Sequence, residues 1–392
     1  MRKSLDQKIA RILADASCKD FILADAKDAD MAFGIAAPGR SPEHHAREGR
    51  FRSLDEYRQL IRENVRQGLV DIMLMSAGTN EVLTLHDRLF DNSAVTPAVR
   101  ANDATDIWAA QGGVYAGHPS LPFRSAAIDQ AMCGKPRCEP HERNRGADLG
   151  LYSVTFNNDT ALDHRTLDAY RTFREEAAAK DFRHFLEVFD PNAAQAPIPD
   201  LARFINDMVV RALAGVVGKA RPLFLKIVYH GPAAMEQLAG YDSRLIVGIL
   251  GGSSGTTFDA FHQLWEARKY GARVALYGRM INHSEHQLTF IEHLRMLADG
   301  QIEPGEAVRS YHAALAKLAI RPYRKLADDL QPTLRASAYG GSEQAAKPAS
   351  RAKPADAGVA RGGKPETEPD FSKMTALEKQ AWNQARWKRI LG

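Results

Sequence analysis

One lysine stands out in the sequence because of its neighbours. Lys226 lies in the middle of 223–229 (LFLKIVY), an apolar and partly β-branched run that is typical of a buried strand. Alternate side chains of a barrel strand point into the interior, where an ammonium group would lose its contact with water. Desolvation favours the neutral amine, which attacks carbonyl carbons. Lys226 is therefore a candidate Schiff-base residue; the alternative is a lysine that reaches solvent from the outer face of its strand.

Glycine-containing turns follow the next two predicted strands. The run 245–250 is followed by the sequence GGSSGTT, and the run 273–277 by Gly-Arg. Glycines let backbone amides approach a phosphate closely, and a following helix N-terminus favours an anion. In barrel enzymes the loops after the seventh and eighth strands often bind phosphate. The candidate phosphate ligands are Gly251, Gly252, Ser253, Gly278 and Arg279.

These residues need a scaffold, and the hydrophobic pattern predicts one. Short apolar runs alternate eight times with amphipathic segments, which indicates a parallel sheet buried on both faces. Eight such units in about 300 residues favour an α/β fold of the closed (β/α)8 TIM-barrel type, spanning 1–331. The alternative is an open doubly wound sheet, but its usual G-x-G-x-x-G turn is absent, since 24–34 reads ADAKDADMAFG. The predicted strands are 21–25, 70–75, 96–101, 149–156, 184–189, 223–229, 245–250 and 273–277.

Three motifs of this barrel resemble a known family. LFLKIVYHGP, LIVGILGGSSGTTFDAF and GARVALYGRMIN are similar to the lysine strand and the two following strands of class I (Schiff-base) aldolases. This family of archaeal-type fructose-bisphosphate aldolases includes deoxyribose-phosphate aldolase relatives and the autoinducer-2 phosphate thiolase. The resemblance implies a Schiff base on Lys226 and phosphate binding by the turns at Gly251-Gly252 and Gly278-Arg279. The segment FILADAKDAD resembles the family's first strand and places Asp25 at an acidic active-site position.

The sequence differs from the family at positions whose side chains transfer protons. The fructose-bisphosphate enzymes of this type place a general-acid tyrosine at the end of strand five, but Phe189 stands there. Glu187 instead resembles the strand-five glutamate of tagatose-bisphosphate aldolases, whose strand-four lysine has no counterpart in 149–156. We expect Glu187 to act as acid and base or to pair with Lys226. His230 has the strand parity of Lys226 and an imidazole suited to proton transfer near neutral pH, although it could equally cap the strand.

The segment 102–146 is unusually long for a barrel loop and contains two of the three cysteines. It follows strand three, so we expect it at the barrel mouth, either as a lid or as a surface insertion or oligomer contact. The cysteines are too few for a disulfide framework. Cys133, Cys138 and His141 lack a fourth ligand at a recognised spacing, so we expect free thiols, with a metal site as the alternative.

The positive charge of the chain is concentrated at its C-terminal end. Residues 332–392 contain 11 Lys and Arg and 6 Asp and Glu, whereas the rest of the chain is nearly neutral and gives no reason to expect nucleic acid. The composition of 332–370 predicts a disordered linker. Helical spacing returns in 371–392 and predicts a basic amphipathic helix that docks on a protein partner or shell, or that folds back on the barrel.

The sequence as a whole predicts an enzyme without a metal or other cofactor. Apolar runs such as 245–250 are too short to span a membrane, and the N-terminus has no secretory signal, so we expect a soluble, cytoplasmic homo-oligomer. The expected reaction is cleavage or formation of a C–C bond in a phosphorylated sugar or ketose through Lys226. The alternatives are a Schiff-base thiolase or dehydratase, and a catalytically silent barrel that binds a phosphometabolite or a protein.

Overall fold

Eight parallel strands close into a barrel. The computed structural model describes residues 2–41, 50–107, 110, 112–252 and 255–333. The first strand pairs with both the second and the last, with Ile22 opposite Val274, so the sheet has no edge. The predicted TIM barrel is confirmed, and the open-sheet alternative is wrong. The strands are β1 (Ile22–Lys27), β2 (Ile72–Met75), β3 (Thr96–Arg100), β4 (Leu149–Thr155), β5 (Arg183–Phe189), β6 (Leu225–Ile227), β7 (Gly248–Leu250) and β8 (Val274–Tyr277).

Helices surround the barrel and connect its strands. The helices are α1 (Ser4–Ala14), α2 (Leu54–Gln67), α3 (Ala77–Asn80, continued by a π-helix over Glu81–His86), α4 (Ile128–Cys133), α5 (Thr160–Ala179), α6 (Leu201–Ala214), α7 (Pro232–Ala239), α8 (Thr257–Lys269), α9 (Arg279–His283), α10 (Gln287–Asp299), α11 (Pro304–Lys317) and α12 (Leu326–Asp329). Short 3-10 turns occupy Ala29–Met31, Gly34–Ala36, Tyr115–Gly117, Pro140–Glu142 and Gly218–Ala220.

Local sequence explains where the helices begin. Ser53 caps α2 by accepting a hydrogen bond from the Glu56 amide, while the Glu56 side chain accepts one from the Ser53 amide. Helix α5 begins at Thr160, because the preceding Asp159 accepts hydrogen bonds from the amides of Ala161 and Leu162. The first residue of each of these helices is therefore set by a capping side chain and not by the spacing of apolar residues.

Strand pleating divides the core into an inner and an outer part. Side chains such as Ile22, Leu74 and Phe185 pack inside the barrel, where Leu5 of α1 closes the end opposite the mouth. The neighbouring residues of each strand point outward and pack against the helices, as Leu23 and Met73 do. A polar residue can therefore reach the barrel interior only at every second position of its strand.

The long segment 102–146 folds onto the mouth above the middle strands. It contains a two-stranded antiparallel pair, Asp103–Ala104 with Pro122–Phe123. The Asn192 side chain holds it by donating to the carbonyl oxygens of Ala116 and His118 and accepting from the Ser120 amide. The segment thus covers part of the mouth and is fixed there by hydrogen bonds.

The two cysteines of this segment form a disulfide, so the expectation of free thiols is wrong. Helix α4 ends at Cys133, and Gly134 turns the chain with a φ of 77°. This turn brings Cys138 back to a Cα–Cα distance of 6.1 Å, which suits a disulfide. The alternative metal site with His141 is not supported, because the described residues contain no group of three or more His, Cys, Asp or Glu side chains arranged to hold a metal.

The described part of the chain ends just beyond the predicted barrel boundary at 331. The Thr333 amide and hydroxyl both donate to Asp259 at the start of α8, so the ordered fold includes 332 and 333. The rest of the predicted linker and the predicted helix at 371–392 lie outside the described residues. Among the described helices, none has both the length and the apolar character that crossing a bilayer requires.

Candidate active site

The side chain of Lys226 points into the barrel and meets a carboxylate. Lys226 lies on β6 opposite Glu187 of β5, and its Nζ is 2.5 Å from Glu187 Oε1. The Glu187 side chain is fully buried, and that of Lys226 is 7% exposed. The lysine does not reach solvent from the outer face of its strand. The two side chains therefore form a buried ion pair.

Glu187 is held by groups from two further strands. Ser153 of β4 donates its hydroxyl to Glu187 Oε2 at 2.6 Å, and Arg100 of β3 donates to the Ser153 Oγ at 3.1 Å. The Arg100 guanidinium also lies 3.7 Å from Glu187 and donates to Asp28 at 2.7 Å. Asp28, Arg100, Ser153, Glu187 and Lys226 thus form one buried polar network across the mouth end of the barrel.

A cavity of about 500 Å³ opens beside this network. Lys226, Arg100 and Asp28 line it, and Glu187 lies behind Lys226. The cations in the lining are Arg40, Arg52, Arg100, Lys226 and Arg279, whereas Asp28 is the one carboxylate that the described residues contribute. Such a lining attracts anionic ligands.

Asp25 does not lie in this cavity. Its strand position points outward, between β1 and the helices α2 and α10. There its carboxylate accepts from Lys27 at 3.0 Å and from Asn64 at 2.6 Å. Burial raises the pKa of Asp25, and the same burial lowers the pKa of Lys27. The structure instead brings Asp28 to the cavity, three residues later and beyond the end of the strand.

His230 lies past the end of β6 and pairs with Asp190. Its Nε2 is 2.8 Å from Asp190 Oδ1, and both side chains are largely buried. Neither residue lines the cavity. The nearby Tyr229 is also buried, which raises its pKa and keeps it a neutral phenol. Among Glu187, Asp190, Tyr229 and His230, Glu187 is the side chain that contacts Lys226.

The predicted phosphate-binding glycines line the cavity, but packing also requires them. Gly251, Gly252, Gly278 and Arg279 lie along one side, and Ser253 is outside the described residues. A Cβ on Gly251 would come within 2.2 Å of the Tyr277 ring, and one on Gly278 within 2.5 Å of the Ala26 carbonyl oxygen. Packing therefore requires glycine at 251 and 278, whether or not a phosphate binds.

An apolar cluster also lies at the mouth of the barrel. Phe189, which stands where the family has a tyrosine, is buried beside Val228 and Leu250. Ala104 and Ile107 of the long segment also belong to this cluster, together with Ala32. The segment therefore packs against this part of the mouth through apolar contacts.

Sequence reasoning missed three members of the network. Arg100 ends the apolar run 96–100 and carries the signal that identified Lys226, a charged side chain in a buried strand. Ser153 gave only a weak signal, because a single serine in an apolar strand does not by itself indicate a chemical role. Asp28 could not be placed, because it follows the last residue of β1 and precedes a 3-10 turn.

The fold resembles solved aldolase structures. The chain is 15% identical to an archaeal fructose 1,6-bisphosphate aldolase, with 76% of this chain and 100% of that chain covered and a TM-score of 0.53. A Schiff-base-forming fructose-1,6-bisphosphate aldolase is 15% identical over 75% of this chain and 100% of its own, with a TM-score of 0.52. For a fructose-bisphosphate aldolase from Slackia heliotrinireducens the identity is 12%, the coverage 79% and 91%, and the TM-score 0.54.

Sequence comparison adds nothing to these structural likenesses, since no protein-family model and no curated protein matches the chain. At these identities the structures show a shared fold and not a shared reaction. The chain shares the TIM-barrel fold of these structures.

Proposed function

We propose that the protein is a class I aldolase that cleaves or forms a C–C bond of a phosphorylated sugar or ketose through a Schiff base on Lys226. The observation that carries this proposal is the buried contact of Lys226 with Glu187 at the edge of a cationic cavity. An amine in that position lies next to a proton acceptor and faces a cavity that suits an anionic substrate.

The first chemical step is formation of the iminium. Lys226 transfers a proton to Glu187, and the free amine attacks the substrate carbonyl to give a carbinolamine. Glu187 returns the proton to the carbinolamine hydroxyl, which leaves as water. Ser153 and Arg100 hold the carboxylate in place for both transfers. General acid–base catalysis of this kind contributes about 10²–10⁴-fold to a rate.

The second step breaks the C–C bond next to the iminium. Asp28 removes the proton from the substrate hydroxyl on the carbon that departs as a carbonyl compound. The electron pair of the broken bond passes to the iminium and forms an enamine. Arg100, which is bound to Asp28, keeps that carboxylate at the cavity wall. We assign no step to Asp25 or His230, because neither lines the cavity.

A Schiff-base enzyme of another kind is the second candidate. The fructose-bisphosphate enzymes carry a general-acid tyrosine where this chain has Phe189, and the surrounding cluster is apolar. A thiolase or dehydratase would use the same Lys226 and Glu187 without that tyrosine. Product analysis distinguishes the candidates: an aldolase releases two carbonyl fragments without a co-substrate, a thiolase transfers one fragment to a thiol, and a dehydratase releases water without breaking a C–C bond.

The direct test is reduction of the full-length protein with borohydride in the presence of dihydroxyacetone phosphate, followed by peptide mass spectrometry. We expect a reduced adduct on the peptide that contains Lys226 and none in the Lys226→Met variant. Lys219→Met, which removes an exposed lysine, is the matched control and should form as much adduct as the unaltered protein. No adduct with any phosphorylated aldehyde or ketose would contradict the proposal and favour a silent, ligand-binding barrel.

The remaining expectations are not tested by the structure. Cytoplasmic location, homo-oligomerisation and docking of the C-terminal helix stay predictions from the sequence. Cell fractionation, light scattering and deletion of 334–392 would test them, and the deletion should leave adduct formation intact.

A further inference from the structure

A tyrosine from a helix outside the barrel forms part of the cavity wall. Ser53 caps α2, and the buried residues of this helix recur at helical spacing, at 57, 61, 64 and 65. Tyr57 lies in the first turn, is 1% exposed and lines the cavity. The helix therefore contributes a buried phenol group to the site at which Lys226 and Asp28 also lie.

The hydroxyl group of Tyr57 lies at the end of β1. The amide of Ala29 lies beside the phenol oxygen, and both Ala29 and the preceding Asp28 line the cavity. The phenol proton has no acceptor among the described residues. A ligand in the cavity can therefore accept this proton.

The surroundings of Tyr57 keep the phenol in its neutral form. Burial, and then the carboxylates of Asp30, Asp25 and Asp28, raise the pKa of Tyr57 well above its usual range. A phenolate beside these carboxylates would meet their negative charges in a site that water barely reaches. The side chain therefore carries its proton at neutral pH and regains it promptly after a transfer.

The other protonated groups of the cavity wall are less suited to donate a proton. Arginine side chains stay charged in proteins, so they do not release theirs. Ser284 donates its hydroxyl to the Ile281 carbonyl oxygen at 2.8 Å. Tyr323 is 48% exposed, and His283 is exposed as well. Of the described hydroxyl and imidazole groups in the wall, only that of Tyr57 is fully buried.

The proposed cleavage leaves a step for which a donor is needed. When the C–C bond breaks, the fragment on Lys226 becomes an enamine, and its carbon must gain a proton before the fragment can leave. Asp28 accepts from Arg100 at 2.7 Å and begins the cycle as a carboxylate, which is an acceptor. Phe189, at the end of β5, has no proton to give.

We propose that Tyr57 of α2 is a further catalytic residue, the group that donates a proton to the enamine carbon. This role rests on the Schiff-base function proposed above. The O–H bond of Tyr57 breaks, the electron pair of the enamine double bond forms the new C–H bond, and the nitrogen lone pair restores the iminium on Lys226. Asp28, which took up the substrate's hydroxyl proton during cleavage, then gives that proton to the phenolate. Both side chains end the cycle as they began it.

Proton exchange between dihydroxyacetone phosphate and deuterated water tests this step without an aldehyde partner. The full-length protein should remove a proton from the carbon that bears the hydroxyl group and return a deuteron, which proton NMR records as a loss of signal. Tyr57→Phe keeps the ring in the cavity wall and should slow this exchange by about 10²–10⁴-fold. Borohydride trapping of the same variant should give as much adduct on Lys226 as the unaltered protein, because the iminium forms before Tyr57 acts.

Tyr170→Phe is the matched control. Its hydroxyl group is also buried, but it contacts His184 Nε2 at 2.9 Å in the core outside the barrel. This variant should exchange deuterium as fast as the unaltered protein, and melting temperatures show that both variants fold. Unaltered exchange in Tyr57→Phe overturns the proposed role. Equal losses of adduct and exchange in Tyr57→Phe also overturn it, because Tyr57 would then act in substrate binding or in iminium formation.

The two measurements separate this role from the Schiff base. An unaltered protein that forms the adduct on Lys226 but exchanges no deuterium refutes Tyr57 as the donor and leaves the Schiff base in place. Exchange that occurs without any adduct and is lost in Tyr57→Phe refutes the Schiff base alone. The absence of both adduct and exchange refutes both.

Discussion

Removing the charge of Glu187 should destabilise the protein as well as slow its chemistry. At an effective dielectric constant of ~20, the Coulomb attraction over the 2.5 Å between Lys226 Nζ and Glu187 Oε1 is about 7 kcal/mol. Desolvation of both charges offsets much of this attraction, so the net contribution of the pair to the free energy of unfolding is small. Removing one partner of a buried pair nevertheless typically costs about 3–5 kcal/mol, because the other charge is left without a partner. We therefore expect Glu187→Gln to lower the free energy of unfolding by that amount, because Lys226 then faces a neutral amide.

A double-mutant cycle isolates this interaction. The free energy of unfolding is measured by urea denaturation for Glu187→Gln, Lys226→Met and the double variant. The double variant should be more stable than the sum of the single changes predicts, by about 1–3 kcal/mol, since neither charge is left without the other. Additive effects would refute the reasoning, because they would show that Lys226 and Glu187 do not interact in solution. Borohydride trapping with Glu187→Gln should be about 10²–10⁴-fold slower than with the unaltered protein.

Three further predictions concern residues away from the network. Asp25→Asn should lower the free energy of unfolding by about 3 kcal/mol, because Lys27 loses its buried partner, while the rate of borohydride trapping stays unchanged; slower trapping would return Asp25 to the chemistry. A reductant should destabilise the protein by about 2 kcal/mol through opening of the Cys133–Cys138 loop, and should not affect the variant with both cysteines changed to serine. Burial lowers the pKa of His184 to about 4, so the unfolded chain binds a proton that the native protein excludes. Stability should therefore fall by about 3 kcal/mol as the pH drops from 6.5 to 4, and in His184→Phe the Tm should depend less on pH over that range.

The barrel could be predicted because each strand has its own sequence signal. Runs of five to eight mostly apolar residues lie between amphipathic helices, and all eight predicted strands overlap the observed ones. The helix boundaries were less accessible, because single side chains such as Asp159 set them. The apolar pattern that predicts a strand or helix extends over many residues, whereas the boundary of a helix depends on one capping side chain.

Residues of the candidate site could be predicted only inside regular strands, where the alternation of inward and outward side chains is visible in the sequence. Lys226 and Glu187 lie inside regular strands, so their neighbours reveal that they are buried. Asp25 and Asp28 differ by three positions, and a shift of one residue in a strand moves a side chain to the other face. The strand ends between them, and the sequence does not show where. The Cys133–Cys138 bond depends likewise on the backbone turn at Gly134, which the spacing of cysteines does not reveal.

The balance of charges inside the barrel bears on the energetics of the proposed reaction. Asp28, Arg100, Glu187 and Lys226 contribute two negative and two positive charges, which makes the network electroneutral. An iminium carries the same single positive charge as the ammonium group that it replaces. The protein interior thus has the same net charge before and after the covalent bond forms, and it need not reorganise around a newly created ion. The covalent step should accordingly be insensitive to ionic strength, whereas capture of the phosphate should weaken as salt is added.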